Sequence, residues 1–225
     1  MIKRLFDIVA SFIGLLIISP ILLPVMLILK FTGEGEVFYL QERIGKGNKP
    51  FFITKFATML KDSPNMGGYT VRGDPRVLPF GKFLRKSKIN ELPQLWDILR
   101  GKMSLVGPRP QMTKIHEEYP ASFSVVLEAL RPGVTGIGSI VFRDEEAILT
   151  NAKDKDYCYK QQIIPYKAEL EIWYMGNQSF FLDIALIFMT LWAIVKADSQ
   201  ILYGLYPFLP LKSIDDFTGN KDASK

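Results

Sequence analysis

Cysteine and histidine are almost absent from this sequence, which has one of each, Cys158 and His116, in 225 residues. A single cysteine excludes an internal disulfide bond, and the pair is too small a set for a zinc site or for a choice of Ser-His-Asp or Cys-His arrangements. Any bound metal must therefore have oxygen ligands. That favours a hard ion such as Mg²⁺, held by one or two carboxylates and by the phosphates of a substrate.

Two common nucleotide-binding motifs are also missing. Neither GxxxxGK[ST] nor GxGxxG occurs in the chain, so a P-loop or a Rossmann turn is not expected. The net charge of +5 fits an anionic partner, but it does not distinguish substrate phosphates, nucleic acid and an acidic bilayer surface. The basic residues are dispersed and no RNP-like aromatic array or helix-turn-helix signature accompanies them, which argues against nucleic acid.

A long apolar run lies near the N-terminus. From Ile8 to Leu29 no side chain is charged, and at about 1.5 Å per residue such a run is long enough for a hydrocarbon core of about 30 Å. A signal peptide has a shorter apolar core of about 7 to 15 residues and a small-x-small cleavage site, which is missing here. Pro20 and Pro24 interrupt the run, and each interior proline costs a helix about 3 kcal/mol.

These prolines favour a bend over a straight crossing. Basic residues flank the run on both sides, and short basic flanks tend to stay in the cytoplasm. We therefore predict that residues 2–31 form a re-entrant helix-break-helix anchor in one leaflet, with its bend at Ser19 and Pro20 and the Ser19 hydroxyl bonding a freed carbonyl. A proline-kinked helix that spans the bilayer remains the alternative.

The rest of the chain predicts a mainly helical α+β domain over residues 32–212, with a polar tail over 213–225. Short β-rich runs on both sides of the turn Gly45–Asn48 predict a small hairpin. Pro93 is placed to open a helix that ends at Gly101. The apolar run from Phe180 to Val195 contains Asp183 and is short for a second crossing, and a buried core helix is the alternative. The run Ile201–Leu211 is typical of an interfacial stretch.

Most candidate catalytic and phosphate-binding residues lie in the segment 80–110, FGKFLRKSKINELPQLWDILRGKMSLVGPRP. Asn90 and Glu91 precede the helix that Pro93 opens, and a helix start attracts anions such as a diphosphate. Glu91 is a candidate Mg²⁺ ligand, while Arg85 and Arg109 offer planar groups that grip phosphate at two points. The structural alternative is that Asn90 caps the helix and that the basic residues are solvated.

In its ordered motifs the sequence resembles the bacterial sugar transferase family, the small monotopic phosphoglycosyl transferases. The resemblance implies a mainly helical α+β domain on the cytoplasmic face of the bacterial inner membrane. It implies Mg²⁺-dependent transfer of a sugar-1-phosphate from a nucleotide diphosphate sugar, such as a UDP-sugar, to polyprenyl phosphate, with release of a nucleoside monophosphate. The motifs are KRLFD, Ser19-Pro20, QERIG, KFATM, DPRV, ELPQL, MSLVGPRP, RPGVTG and SFFLDI.

The resemblance also assigns roles to single residues. It implies metal binding by Glu91 and phosphate-binding roles for five basic residues. Its nucleophilic aspartate, which forms a covalent phosphosugar, aligns with Asn90, and its later aspartate aligns with Glu171. The basic residues are Lys55, Arg76, Arg85, Arg109 and Arg131.

Asn90 is the main departure from the family, because a carboxamide is a far poorer nucleophile than a carboxylate. Three accounts are open: Glu91 attacks and another carboxylate holds the metal, the polyprenyl phosphate attacks the nucleotide sugar directly, or the chain is catalytically weak. We expect a retained transferase that starts polysaccharide or glycoconjugate assembly and has later glycosyltransferases as further partners. A non-catalytic membrane scaffold that binds the lipid carrier is the alternative.

Overall fold

The computed structural model describes residues 2–63, 66 and 73–195. It is mainly helical with a small hairpin, as the sequence predicts, and it has a second two-stranded sheet that was not predicted. The tail 213–225 and the run Ile201–Leu211 lie outside the described residues. The helices are α1 (Ile2–Phe31), α2 (Pro79–Lys86), α3 (Gln94–Leu99), α4 (Thr113–His116), α5 (Ser122–Ala129), α6 (Ile137–Val141), α7 (Glu145–Asn151), α8 (Lys155–Tyr157), α9 (Ile164–Asn177) and α10 (Phe180–Val195). The strands are β1 (Phe38–Ile44), β2 (Pro50–Phe56), β3 (Ser104–Val106) and β4 (Gly133–Thr135).

The apolar N-terminal segment is one helix, α1, which contains both Pro20 and Pro24. We expected a break at Pro20, but every residue of α1 is helical. Pro20 has no N–H to offer the Leu16 carbonyl, and the Ser19 hydroxyl donates to that carbonyl at 2.8 Å, as predicted. This bond supplies a donor for the carbonyl that Pro20 leaves free. The re-entrant course of α1 stays a prediction.

The predicted hairpin is present. β1 and β2 are antiparallel, and the turn between them is a short 3₁₀ segment, Lys46–Asn48, in which Gly47 has φ 73° and Asn48 has φ 55°. Glycine and asparagine tolerate this left-handed conformation better than other residues. Opposite residues of an antiparallel pair share a face, so the pairing of Lys55 with Tyr39 places its side chain on the same face as Arg43, four residues along β1 from Tyr39.

A second sheet joins two distant loops. β3 runs parallel to β4, with Ser104 opposite Gly133 and Val106 opposite Thr135. The chain leaves β3 directly into the segment Gly107–Pro110, so the sheet fixes where that segment begins. Ile44 N also donates to Gln111 O at 2.8 Å, which ties the hairpin to the residue after this segment.

The main hydrophobic core lies among α5, α6, α9 and α10, with fully buried residues such as Phe123, Tyr166 and Leu186. The run Phe180–Val195 is therefore α10, a helix with one face in the core. Its opposite face exposes large apolar side chains, including Phe181 and Phe188. The predicted alternative of a buried core helix is confirmed for the face that packs into the core.

Candidate active site

Glu91 is the centre of a charged cluster. Its Oε1 lies 3.2 Å from Nη2 of Arg109 and 3.7 Å from Nζ of Lys55. The three residues come from three elements: the 3₁₀ turn Ile89–Glu91, the segment after β3, and strand β2. The structure thus brings together the predicted metal ligand and two of the predicted phosphate-binding residues.

The turn that carries Glu91 also carries Asn90. Lys88, which precedes this turn, has φ 60°, and no side chain caps either this turn or α3. The alternative that Asn90 caps the helix is therefore not found. Asn90 is buried, and its Oδ1 accepts no hydrogen bond from the residues that the structure describes.

Arg43 is a site residue that sequence reasoning did not assign, although it lies in the motif QERIG. It lines the same pocket from the hairpin face that carries Lys55. Its Nη1 donates to Pro110 O at 3.0 Å and its Nη2 to Gln41 Oε1 at 2.6 Å. Arg43 therefore joins the hairpin to the segment that holds Arg109. Its charge was the available signal, but charge alone does not say which arginine of the chain turns toward Glu91.

Asp97 connects the hairpin to α3. It is fully buried, and its carboxylate accepts the Thr54 N–H at 2.7 Å and the Thr54 hydroxyl at 3.2 Å. Thr54 directly precedes Lys55 on β2. Since α3 follows the turn with Glu91, this contact fixes the strand that carries Lys55 against the element next to Glu91.

Burial and mutual proximity shift the pKa values of the cluster. Burial alone would raise the pKa of Glu91, but Arg109, Lys55 and Lys88 outweigh it and lower the pKa to about 2. Burial lowers the pKa of Lys55 to about 7, and the adjacent arginines act in the same direction against Glu91. Glu91 is thus a carboxylate at neutral pH, while Lys55 changes charge near neutrality.

The cluster lines a small pocket that is partly open to solvent. The cations outnumber the single carboxylate, so the net charge of the pocket lining favours an anion. The lining residues are Arg43, Ile53, Lys55, Glu91, Gln94, Arg109, Pro110 and Gly133.

The oxygen donors of the site fit Mg²⁺ only together with a substrate. Over the described residues no group of three or more His, Cys, Asp or Glu side chains is arranged to hold a metal. Glu91 is the one carboxylate among the pocket-lining residues, and Asn90 adds an unpaired carboxamide oxygen next to it in the chain. Mg²⁺ bound by one carboxylate and by substrate phosphates is a common arrangement, and these donors are compatible with it.

Glu171 supports Arg109 from outside the pocket. It is buried on α9, and its carboxyl accepts the backbone N–H groups of Arg109 and Gly138. A Cβ at Gly138 would lie 2.7 Å from Glu171 Oε1, so the absence of a side chain there makes room for the carboxyl. Burial raises the pKa of Glu171 to about 8, more than the two N–H groups lower it, and Oε2 has no partner among the described residues.

The other predicted phosphate-binding residues have protein partners. Arg85 forms an ion pair with Glu146, and Arg76 forms one with Asp74 at 2.6 Å. Arg131 is exposed, and its Nε donates to Gly101 O at 3.1 Å. None of the three lines the pocket around Glu91. Their phosphate-binding roles stay predictions.

The sequence profile described as bacterial sugar transferase matches residues 1–197 of the chain. Among curated proteins, the chain is 33% identical over 210 residues to the exopolysaccharide production protein ExoY of Rhizobium meliloti, with 86% of this chain and 85% of ExoY covered.

Two longer proteins are also similar. The UDP-N-acetylgalactosamine-undecaprenyl-phosphate N-acetylgalactosaminephosphotransferase of Aeromonas hydrophila is 34% identical over 193 residues, covering 84% of this chain and 43% of that protein. The UDP-glucose:undecaprenyl-phosphate glucose-1-phosphate transferase of Klebsiella pneumoniae is 33% identical over 192 residues, covering 84% of this chain and 39% of that protein. The chain thus spans less than half the length of these two relatives.

Proposed function

The chain belongs to the bacterial sugar transferase family, a family of sugar-phosphate transferases, and we propose that it transfers a sugar-1-phosphate from a UDP-sugar to undecaprenyl phosphate. The reaction would be an early membrane step of polysaccharide assembly. The names of the Aeromonas and Klebsiella relatives, which carry both substrates, support this proposal. The observation that carries it is the anion pocket in which Lys55 and Arg109 flank Glu91.

The pocket chemistry suits a diphosphate. Phosphoryl transfer depends mainly on positioning and on stabilising charge at the phosphate oxygens. Arg109 offers a planar group for two oxygens, and Arg43 stays protonated because burial lowers its pKa only to about 10. Lys55 adds a cation whose charge a bound phosphate would stabilise.

We favour direct attack by the lipid phosphate. An oxygen of undecaprenyl phosphate forms a bond to the β-phosphorus of the UDP-sugar, the bond from that phosphorus to the bridging oxygen breaks, and UMP leaves. Asn90 lacks a nucleophilic oxygen, and the low pKa of Glu91, about 2, makes its carboxylate a weak base between two cations. Glu91 then acts by orienting the cations and the substrate phosphates. Mg²⁺, when bound through Glu91 and the diphosphate, would supply further charge neutralisation.

The contacts of α1 support a re-entrant anchor, which we place on the cytoplasmic face because of its basic flanks. Among the described helices, α1 alone is long and apolar enough to cross a bilayer, and most of its aliphatic side chains are exposed. Both of its ends contact the globular part: Arg4 donates to Ile98 O, and Leu29 packs in a cluster with Leu84. A spanning helix would separate its ends by a hydrocarbon core of about 30 Å, whereas a segment that returns to the same leaflet allows both contacts.

The scaffold alternative rests on Asn90. A chain that has lost its nucleophile still has an anion pocket and an anchor, and these suffice for binding undecaprenyl phosphate or for recruiting later glycosyltransferases. The two functions differ in turnover, because a scaffold binds the lipid carrier without releasing UMP.

The decisive experiment is an assay of the full-length protein in detergent with undecaprenyl phosphate, Mg²⁺ and a panel of nucleotide sugars. We expect UMP release that depends on the lipid phosphate and stops with a chelator. Release of UMP without the lipid acceptor would indicate hydrolysis, and no release with any donor would reject the transferase function in favour of the scaffold.

A further inference from the structure

The first two turns of α1 carry three polar residues, Lys3, Arg4 and Asp7, that point into the protein rather than toward lipid. The sequence explains the two cations as flanks that keep the N-terminus in the cytoplasm. In the structure each of the three is hydrogen-bonded to a backbone segment next to the active site. We propose that these turns are a brace that sets the position of Arg109 relative to Glu91, and that the three residues are positioning residues. The proposal rests on the proposed transferase function.

Arg4 binds the Glu91 side of the site. Its Nη1 donates to Ile98 O at 2.7 Å and its Nη2 to Leu99 O at 3.1 Å. These carbonyls lie at the C-terminal end of α3, where Ile98 O also accepts the Gly101 N–H at 2.9 Å, and a cation is favourable at a helix C-terminus. Because α3 begins three residues after Glu91, Arg4 holds the far end of the element that follows the catalytic turn.

Asp7 binds the Arg109 side. Successive N–H groups of a strand point to opposite edges. Ser104 N donates to Pro132 O across the sheet at 2.9 Å, so Leu105 N faces the other edge, where Asp7 Oδ1 accepts it at 3.2 Å. Asp7 Oδ2 also accepts the Ser104 hydroxyl at 2.9 Å. Asp7 is buried, at 3% exposure, so both bonds are made away from water.

Lys3 extends the same contact along β3. Its Nζ donates to Val106 O at 3.1 Å, at the residue from which the chain enters the segment with Arg109. Lys3 also forms an ion pair with the buried Asp183 of α10, which in turn accepts the hydroxyl of Tyr174. The core helices α9 and α10 thereby fix Lys3, and Lys3 fixes the end of β3.

The geometry of one helix joins these contacts. Arg4 and Asp7 are three residues apart, about 4.5 Å along a rigid helix axis, and each grips a different side of the site. Glu91 and Arg109 belong to separate elements and meet through a 3.2 Å contact. In phosphoryl-transfer sites a displacement of about 1 Å can cost about 10²-fold in rate. The brace contacts both α3 and β3, so we expect it to affect the rate of transfer without contacting the substrate.

Single substitutions distinguish the proposed brace from a role of these charges in membrane topology. Arg4→Lys preserves the positive flank but reaches one carbonyl at a time. Asp7→Asn preserves both bonds, because its oxygen accepts the Leu105 N–H and its amide donates to Ser104, whereas Asp7→Leu removes both. Lys30→Gln is the matched control, since it removes an exposed charge at the other end of α1.

We expect kcat to fall about 10-fold in Arg4→Lys and about 10²-fold in Asp7→Leu, with KM for the UDP-sugar within about threefold of wild type. Asp7→Asn and Lys30→Gln should stay close to wild type in kcat. All variants should cosediment with vesicles of bacterial phospholipid as the wild type does. A double variant, Asp7→Leu with Arg109→Ala, should be no slower than Arg109→Ala alone, because both changes act through Arg109.

Wild-type kcat in both Arg4→Lys and Asp7→Leu would overturn the brace, and so would a loss of vesicle binding that parallels the loss of rate.

Hydrogen exchange of peptides that cover 104–109 measures the stability of this segment independently of catalytic turnover. Faster exchange there in Asp7→Leu, with Asp7→Asn unchanged, supports the brace, and unchanged exchange rejects it. If the wild type itself transfers no sugar phosphate, the proposed function fails while hydrogen exchange still decides the brace. Asp7→Leu leaves the Leu105 N–H and the Ser104 hydroxyl without their acceptor, whereas Arg4→Lys keeps a donor for the end of α3, so it remains a test if Asp7→Leu does not fold.

Discussion

Oε1 of Glu91 lies 3.2 Å from Nη2 of Arg109, although the two residues are 18 positions apart in the chain and belong to different elements. Lys55 approaches the same oxygen from a third element, at 3.7 Å. This convergence makes one carboxylate the common partner of two cations. It also means that removing any one of the three shifts the pKa values of the other two.

Glu91→Gln is expected to reduce kcat by at least about 10²-fold, because an amide neither orients the two cations nor binds Mg²⁺ well. The protein should still fold, with a lower melting temperature, since Lys55 loses its only carboxylate partner in the pocket. UMP release and a melting curve measure the two effects. Glu128→Gln, on the exposed surface of α5, is the control. Near-normal rates in Glu91→Gln at limiting Mg²⁺ would remove Glu91 from the mechanism.

Arg109→Ala is expected to cost about 10²-fold or more in kcat/KM, and Arg109→Lys to recover part of it, because lysine restores the charge but not the two-point grip on phosphate. Steady-state kinetics over a range of UDP-sugar concentrations measures both variants. Arg100→Lys, exposed directly after α3, should behave as wild type. Full activity in Arg109→Ala would show that the lipid and nucleotide phosphates bind elsewhere.

Experiments on Asn90 distinguish an enzyme that transfers the sugar phosphate directly from an enzyme that has lost its nucleophile. We expect measurable activity in the protein as it stands, and no sugar-phosphate adduct at residue 90 when quenched reactions are measured by intact mass. Asn90→Asp should then lower activity or leave it unchanged, because a second buried negative charge beside Glu91 repels the diphosphate. Inactivity that Asn90→Asp rescues by orders of magnitude would contradict direct transfer and identify residue 90 as the missing nucleophile.

The buried Glu171 makes stability depend on pH. The pKa of its carboxyl is about 8 in the folded protein against an ordinary value of 4.5. Between these values the folded state holds a proton that the unfolded state has lost, so the free energy of unfolding falls as pH rises from about 4.5 to about 8. Glu171→Gln cannot ionise and keeps an oxygen for the Arg109 N–H. We expect its melting temperature to exceed that of the wild type increasingly from pH 5 to pH 8, whereas Glu169→Gln, exposed on the same helix, should follow the wild type. A constant difference between Glu171→Gln and the wild type would mean that Glu171 is ionised throughout.

The topology of α1 is tested by cysteines at its two ends, introduced as Ile2→Cys and Glu34→Cys. If α1 enters and leaves through the same leaflet, a membrane-impermeant thiol reagent should label both positions from the cytoplasmic side. The unaltered chain is the control, because Cys158 is buried, at 2% exposure, and should not react. Labelling of one position only would mean that α1 spans the membrane.

Local features of this protein follow from the sequence by itself. The apolar run that forms α1, the Ser19 hydroxyl on the Leu16 carbonyl, and the hairpin turn at Gly47 and Asn48 all depend on neighbours within a few residues. The order of motifs also indicated the family, and the near absence of cysteine and histidine restricted any metal site to oxygen ligands. Periodicity, turn chemistry and missing residue types can be read without knowing how distant segments pack.

Only the tertiary structure decided which charges meet. Five basic residues were candidates for phosphate binding, yet packing brings only Lys55 and Arg109 of these five to Glu91, adds the unassigned Arg43, and pairs Arg85 with Glu146. Packing also decides that Arg4 and Asp7, which lie before the apolar run in the sequence, form hydrogen bonds to α3 and β3. The physical reason is that a long charged side chain takes whichever partner the backbone places within about 4 Å, and that placement depends on the whole fold rather than on the residues beside it.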